Sequence, residues 1–270
     1  MRVLYLGDIV GEAGVRGVCD VVPRLMTRYA TDAVVANCEN AADGFGITPA
    51  LARQLFDCGI DVLTGGNHSW DRKEILAFIA DEPRLLRPLN YPDLTPGRGS
   101  ALVTCRSGKT LLVLNVMGRL YMDPLDDPFV AVDRALGEMP RAAIADAVLL
   151  DIHAEATGEK AALAHFFAGR IGAAVGSHTH VPTADARILP GGTAFMSDAG
   201  MCGDYNSVVG MDIDEAVFRL THKMNRGRPK PAAGPATVCG VLCCFDGEGA
   251  AVSVHPIRVG GVLEPQLPEV

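Results

Sequence analysis

Two histidines stand one residue apart in "AAVGSHTHV" (173–181), His178 and His180, behind what reads as the end of a buried strand. In extended backbone, residues two apart point to the same side. Both imidazoles would then converge on one spot, which suits a metal and not an apolar core. Other apolar runs close on similar donors: "VLYLGD" on Asp8, "DAVVANCEN" on Glu39 and Asn40, "DVLTGGNH" on Asn67 and His68, "AVLLDIH" on His153. Singly, each has an ordinary explanation. His153 or His178 would be a hydrogen-bonded structural imidazole, Asp8 a helix cap, Asn67 a turn residue, Glu39 half of a surface ion pair. Jointly they share the carboxyl ends of strands, where open α/β sheets bind ligands. These eight residues exceed what one ion needs and suit two ions that share a bridging carboxylate. Carboxylate, carboxamide and imidazole without thiolate fit Mn, Fe or Zn.

The elements that must position them alternate in type. Strand-like "VLYLGDIV" is followed by Val15, Val18, Val22, Leu25, Met26 and Tyr29 at helical spacing over 14–29. A strand over 32–40 leads to a helix over 48–59 with Thr48 as N-cap, Pro49 at its first position and Gly59 at its end. A third strand (61–68) and a helix (71–80) complete a βαβαβα series, which predicts a parallel sheet. "SALVTC" and "TLLVLNVM", joined by "RSGK", predict a hairpin. Further helices are expected near 129–139, 157–169 and 213–224, and strands over 147–153 and 173–178. "ARILP" with "GTAFMSD", and "TVCGVLCCF" with "AVSVHPIRV", predict antiparallel pairs. No linker-like shift in composition divides the chain, so 1–270 reads as one domain, with two sheets or one large mixed sheet under helices.

Composition narrows the function classes. The chain has 270 residues, 49% of them hydrophobic, and a net charge of −8, which argues against a passive nucleic-acid-binding surface. An anionic substrate would need cations supplied locally. The eight cysteines form no Cys-x-x-Cys motif, and several sit in apolar runs; they read as reduced thiols of a cytoplasmic protein. No signal peptide or membrane-spanning run is expected. "GDIVGEAG" (7–14) matches neither glycine-rich phosphate-loop pattern. His-x-His also marks amidohydrolase barrels, but there it lies on the first strand, and here it follows three donor-bearing strand ends.

The order Gly7-Asp8, Glu39-Asn40, Gly66-Asn67-His68, His153 and Gly176-Ser177-His178-Thr179-His180 resembles the calcineurin-like metallophosphoesterases. It departs from them at Val10, where a histidine is expected, at Glu39 in "NCEN", at Ser69 and at Ser177. Those departures, with "NCENAADGFGIT", "GGNHSWD", "DIHAEATGEK", "GSHTHVPTADARILPGGTAFMSDAGM" and "VVGMD", resemble the YmdB-like phosphodiesterases from Met1 to about residue 255. The resemblance implies a four-layer α/β/β/α sandwich with mixed sheets, homo-oligomeric assembly, and hydrolysis of small phosphodiesters, 2′,3′-cyclic nucleotides included. It implies two metal ions bridged by Glu39, one held also by Asp8, Asn40 and His180, the other by Asn67, His153 and His178. Asn40 would replace the ligand missing at Val10. His68 would be the general acid, and Asp151 and Asp198 would orient ligands. The same ligands also serve phosphomonoesterases and phosphatases. A regulatory protein that binds RNA or an RNA-processing partner is the alternative from another class.

Overall fold

The computed structural model describes residues 1–137 and 141–269. The N-terminal third contains β1 (Arg2–Leu6), β2 (Asp8–Ile9), α1 (Gly11–Tyr29), β3 (Ala33–Asn37), α2 (Pro49–Asp57), β4 (Val62–Thr64) and α3 (Ile75–Asp81). The middle contains β5 (Ser100–Thr104), β6 (Thr110–Met117), α4 (Pro128–Leu136), α5 (Arg141–Ile144), β7 (Ala147–His153), α6 (Thr157–Phe166) and β8 (Ala173–Ser177). It ends with β9 (Arg187–Leu189), β10 (Thr193–Met196), β11 (Met201–Gly203), α7 (Ile213–His222), β12 (Thr237–Phe245) and β13 (Ala251–Gly260).

These strands form two mixed sheets. The seven-stranded sheet runs β2-β11-β12-β1-β3-β4, with β13 also on β12. The six-stranded sheet runs β5-β6-β7-β8-β10-β9. In the first sheet β1, β3 and β4 are parallel, as the βαβαβα series requires. In the second, β6, β7, β8 and β10 are parallel, while β5 joins β6 by the expected hairpin.

Three apolar layers follow from the strand faces. Val3, Tyr5, Val35, Leu111, Val113 and Leu149 lie between the sheets. Leu4, Leu6 and Val34 turn to the other face of the first sheet and pack on Val18, Val22 and Leu25 of α1 and on Leu55 of α2. Leu114, Val148 and Leu150 do the same for the second sheet against Val132 of α4 and Leu163 of α6. Three filled interfaces make four layers, α/β/β/α, as the family resemblance implied. Each fully buried aliphatic side chain contributes roughly 1.5–3 kcal/mol to holding them together.

Local signals mostly place the elements. Thr48 Oγ1 accepts from Leu51 N at 3.2 Å, and Gly59, just past α2, has φ 108°. Other expectations need correcting. The strands expected over 32–40 and 61–68 stop at Asn37 and Thr64, so their donors lie on loops. The helix expected over 71–80 begins only at Ile75. The helix expected over 129–139 runs Pro128–Leu136, and its last predicted residues lie outside the described ones. Not all cysteines are free thiols: Cys19 on α1 and Cys58 at the end of α2 form a disulfide, with Cα atoms 5.1 Å apart. They are 39 residues apart in sequence and become neighbours only because α1 packs on α2, which no Cys spacing announces.

Candidate metal centre

Both sheets deliver polar side chains to one place. From the first come Asp8 on β2, Glu39 and Asn40 after β3, and Asn67 and His68 after β4; from the second come His153 at the end of β7 and His178 and His180 after β8. Register aligns the second group, with Met117 opposite His153 and His153 opposite Ser177. Asp8, Glu39, Asn40, His153 and His180 are buried, whereas Asn67, His68 and His178 are half-buried.

The donors fall into two adjoining sets. His153 Nε2 lies 3.0 Å from Glu39 Oε1, 3.1 Å from Asn67 Oδ1 and 3.1 Å from His178 Nδ1. His180 Nε2 lies 3.3 Å from Asn40 Oδ1 and 3.9 Å from Asp8 Oδ1. Asp8 Oδ1, though buried, receives no hydrogen bond. Asn40 Nδ2 donates to Gly44 O at 3.0 Å, which turns its carbonyl oxygen toward His180.

Outer partners set the imidazole tautomers. Val209 O can only accept, so at 2.7 Å His180 Nδ1 carries the hydrogen and the Nε2 lone pair faces Asn40 and Asp8. Ser177 Oγ donates to Asp151 Oδ1 at 2.8 Å and therefore accepts from His153 Nδ1 at 2.9 Å, leaving Nε2 directed inward. Thr64 Oγ1 closes this relay on the other oxygen of Asp151. Metal-ligating histidines are oriented in this way by a partner on the second nitrogen.

Electrostatics favours positive charge here. Burial alone would raise the pKa of Glu39, but His153 and the amide of His68 outweigh it and bring it to about 2. Burial would likewise lower that of His153, yet the carboxylates of Glu39, Asp8 and Asp151 raise it to about 9, so its inward Nε2 holds a proton that a bound cation would displace. His178, pushed down to about 3 by burial and then by positive His153, stays neutral and able to coordinate. The convergent oxygens and imidazole nitrogens, the orphaned Asp8 oxygen and this negative field fit divalent cations.

The opening pair reaches the site by a route the sequence did not suggest. β8 ends at Ser177, and His178 (φ 99°) and His180 (φ 65°) are left-handed, not extended. Such backbone costs about 1–3 kcal/mol per residue unless its surroundings impose it. Here they do. His178 N donates to Asp8 Oδ2 at 3.0 Å, while Thr179 N and Oγ1 donate to Asp198 Oδ2 at 3.0 and 2.8 Å. Lys160 Nζ, fully buried on α6, holds that same oxygen at 2.7 Å, and Gly200 N holds Oδ1 at 2.8 Å. The two rings consequently face different sets of donors.

His68 stands apart. Its backbone N donates to Glu39 Oε2 at 2.8 Å, but its ring turns outward, with Nδ1 2.8 Å from Asp71 Oδ2 and a T-shaped contact with the ring of Phe45, centroids 5.1 Å apart. Several supporting residues escaped the sequence reading. Asn37 Nδ2 and Asn115 Oδ1 clamp Gly65 from both sides, and a side chain at Gly66 would overlap Glu39 and His153. Asn115 left a signal, being the lone polar residue within the apolar run "LLVLNVM". Lys160 left none, because its partner is 38 residues away.

Known proteins resemble this chain in sequence and in fold. The chain is 44% identical over 260 residues to a 2′,3′-cyclic-nucleotide 2′-phosphodiesterase of Bacillus subtilis, covering 96% of this chain and 97% of that protein. A solved structure from Thermus thermophilus superposes with a TM-score of 0.90 at 43% identity, covering 97% of this chain and all of that one. A Mycoplasma pneumoniae structure described as a novel phosphatase gives a TM-score of 0.88 at 30% identity, with 96% and 93% covered. The family model described as YmdB-like protein matches residues 4–257. With strand-end donors, two sheets and near-complete coverage all in accord, the chain belongs to the YmdB-like family.

Proposed function

We propose that this chain, acting as a single metallophosphoesterase unit, is a phosphodiesterase dependent on two metal ions. The carrying observation is the inward convergence of buried Asp8, Glu39, His153 and His180 with Asn40, Asn67 and His178. Glu39 would bridge, Asp8, Asn40 and His180 would hold one ion, and Asn67, His153 and His178 the other. The donor set suits Mn, Fe or Zn. When bound, such ions neutralise phosphoryl charge and make water acidic enough to attack near pH 7. The chain's own residues supply the rest. Ser177 and Val209 keep two imidazoles in the coordinating tautomer, and Gly66 leaves the approach open. Asp71 fixes the ring of His68 at Nδ1, so Nε2 is the atom that would hand a proton to the leaving oxygen.

Similarity to the Bacillus subtilis enzyme supports 2′,3′-cyclic nucleotides as substrates. Homo-oligomeric assembly and a cytoplasmic location rest on the family resemblance and composition; among the described residues no helix is long and apolar enough to cross a membrane. The test is turnover of a chromogenic phosphodiester and the matching monoester by protein stripped of metal and given Mn²⁺. Metal-dependent turnover favouring the diester is expected. Preference for the monoester would assign the same ligands to a phosphatase, and no metal dependence would defeat the proposal.

A further inference from the structure

Residues 216–245 contain five Lys or Arg and no Asp or Glu, in a chain whose net charge is −8. The five are Arg219, Lys223, Arg226, Arg228 and Lys230, all exposed. Elsewhere arginines lean on carboxylates, as Arg72 does on Asp43 and Arg106 on Asp61. None of these five forms an ion pair among the described residues; the nearby acid Glu215 instead accepts the backbone N–H of Arg226 at 3.2 Å. Two of them lie over aromatic faces: Arg226 is 3.6 Å from the ring centroid of Phe218, and Arg228 is 5.4 Å from that of Phe45.

This segment borders a largely apolar cavity of about 420 Å³, lined by Phe45, Val209, Met211 and Leu220 and, among charged residues, by Arg219 and Lys230 together with Asp212 and Glu215. That volume lies within the range of small-molecule pockets. Two contacts join it to the candidate metal centre. Phe45 packs on the ring of His68, and the carbonyl of Val209 holds His180.

We propose that the cavity and the basic segment form a binding track for a single-stranded RNA whose 3′ end, closed as a 2′,3′-cyclic phosphate, occupies the metal centre. The idea rests on the phosphodiesterase reading above. A cyclic mononucleotide carries one negative charge, which the metal ions already neutralise, and leaves the cations at 219–230 without work. A strand adds one phosphate per nucleotide for them to meet, and a base can stack on an aromatic wall without regard to sequence. An acidic peptide would use the cations but has no ester for the adjoining centre.

The test compares kcat/KM for a 2′,3′-cyclic mononucleotide with that for a short oligoribonucleotide bearing the same cyclic end, over a range of salt. The oligonucleotide should be favoured by about tenfold or more at low salt. Its log kcat/KM should fall against log salt with a slope of about −0.7 for each phosphate engaged. The triple variant R226Q/R228Q/K230Q should bring the oligonucleotide-to-mononucleotide ratio toward one and flatten that slope. A ratio near one in the unaltered protein, or a ratio and slope that the triple variant leaves unchanged, would overturn the track. Anisotropy of a labelled oligonucleotide with metal-loaded protein reads strand binding separately. Absence of mononucleotide turnover would then count against the phosphodiesterase reading, while the salt slope of binding, with and without the triple variant, still decides the track.

Discussion

The two halves of the donor cluster reach the same spot under opposite constraints. His153 is the last residue of a regular, fully buried strand, and its ring is fixed by a hydrogen-bond relay through Ser177, Asp151 and Thr64. His178 and His180 sit on left-handed backbone that would relax if nothing imposed it, and an ion pair buried between α6 and the chain after β10 imposes it. The difference teaches that a strand end can present one imidazole by register alone. Presenting two, to different sets of donors, required breaking the strand and stabilising the break.

The largest effect should come from removing Glu39, the group proposed to bridge the two ions. Glu39→Ala is expected to lose at least one metal equivalent, read by elemental analysis, and on the order of 10³-fold in diester turnover, the loss of several kcal/mol of metal-ion stabilisation. Full retention of both equivalents would remove Glu39 from the bridging position. His68→Ala belongs to neither half. It should retain its metal and lose about 10²- to 10⁴-fold in turnover, the scale of general acid–base catalysis. Wild-type turnover in that variant would take His68 out of the mechanism.

The remaining variants separate the two constraints. Lys160→Met leaves Asp198 as an uncompensated buried charge and should cost about 3–5 kcal/mol in denaturant unfolding. A change near zero would mean that the strained turn is held by something other than this pair. Ser177→Ala frees His153 Nδ1 and should weaken metal binding about 10- to 100-fold with little loss of stability. If both variants merely destabilised the protein equally, the contrast between relay and clamp would fail.

The same contrast explains how far the sequence could be read. Asp8, Glu39, Asn67 and His153 were legible because each ends an apolar run, and strand periodicity is a local property. The layers were legible too, since α1 and the buried strands carry their burial patterns openly. The turn at 178–180 was not, because its cause is a contact between Asp198 and Lys160, which spacing within "GSHTHV" cannot report. The Cys19–Cys58 bridge was missed for the same reason. The polar clamp on Gly65 was half-legible, as Asn115 breaks an apolar strand without saying what it faces.

The most direct test of the central claim is a crystal structure of Mn²⁺-loaded protein, with anomalous diffraction used to place the ions. The account predicts two peaks about 3.5–4 Å apart, with Glu39 between them, Asp8, Asn40 and His180 on one, and Asn67, His153 and His178 on the other. A single peak, or peaks held by other residues, would contradict it.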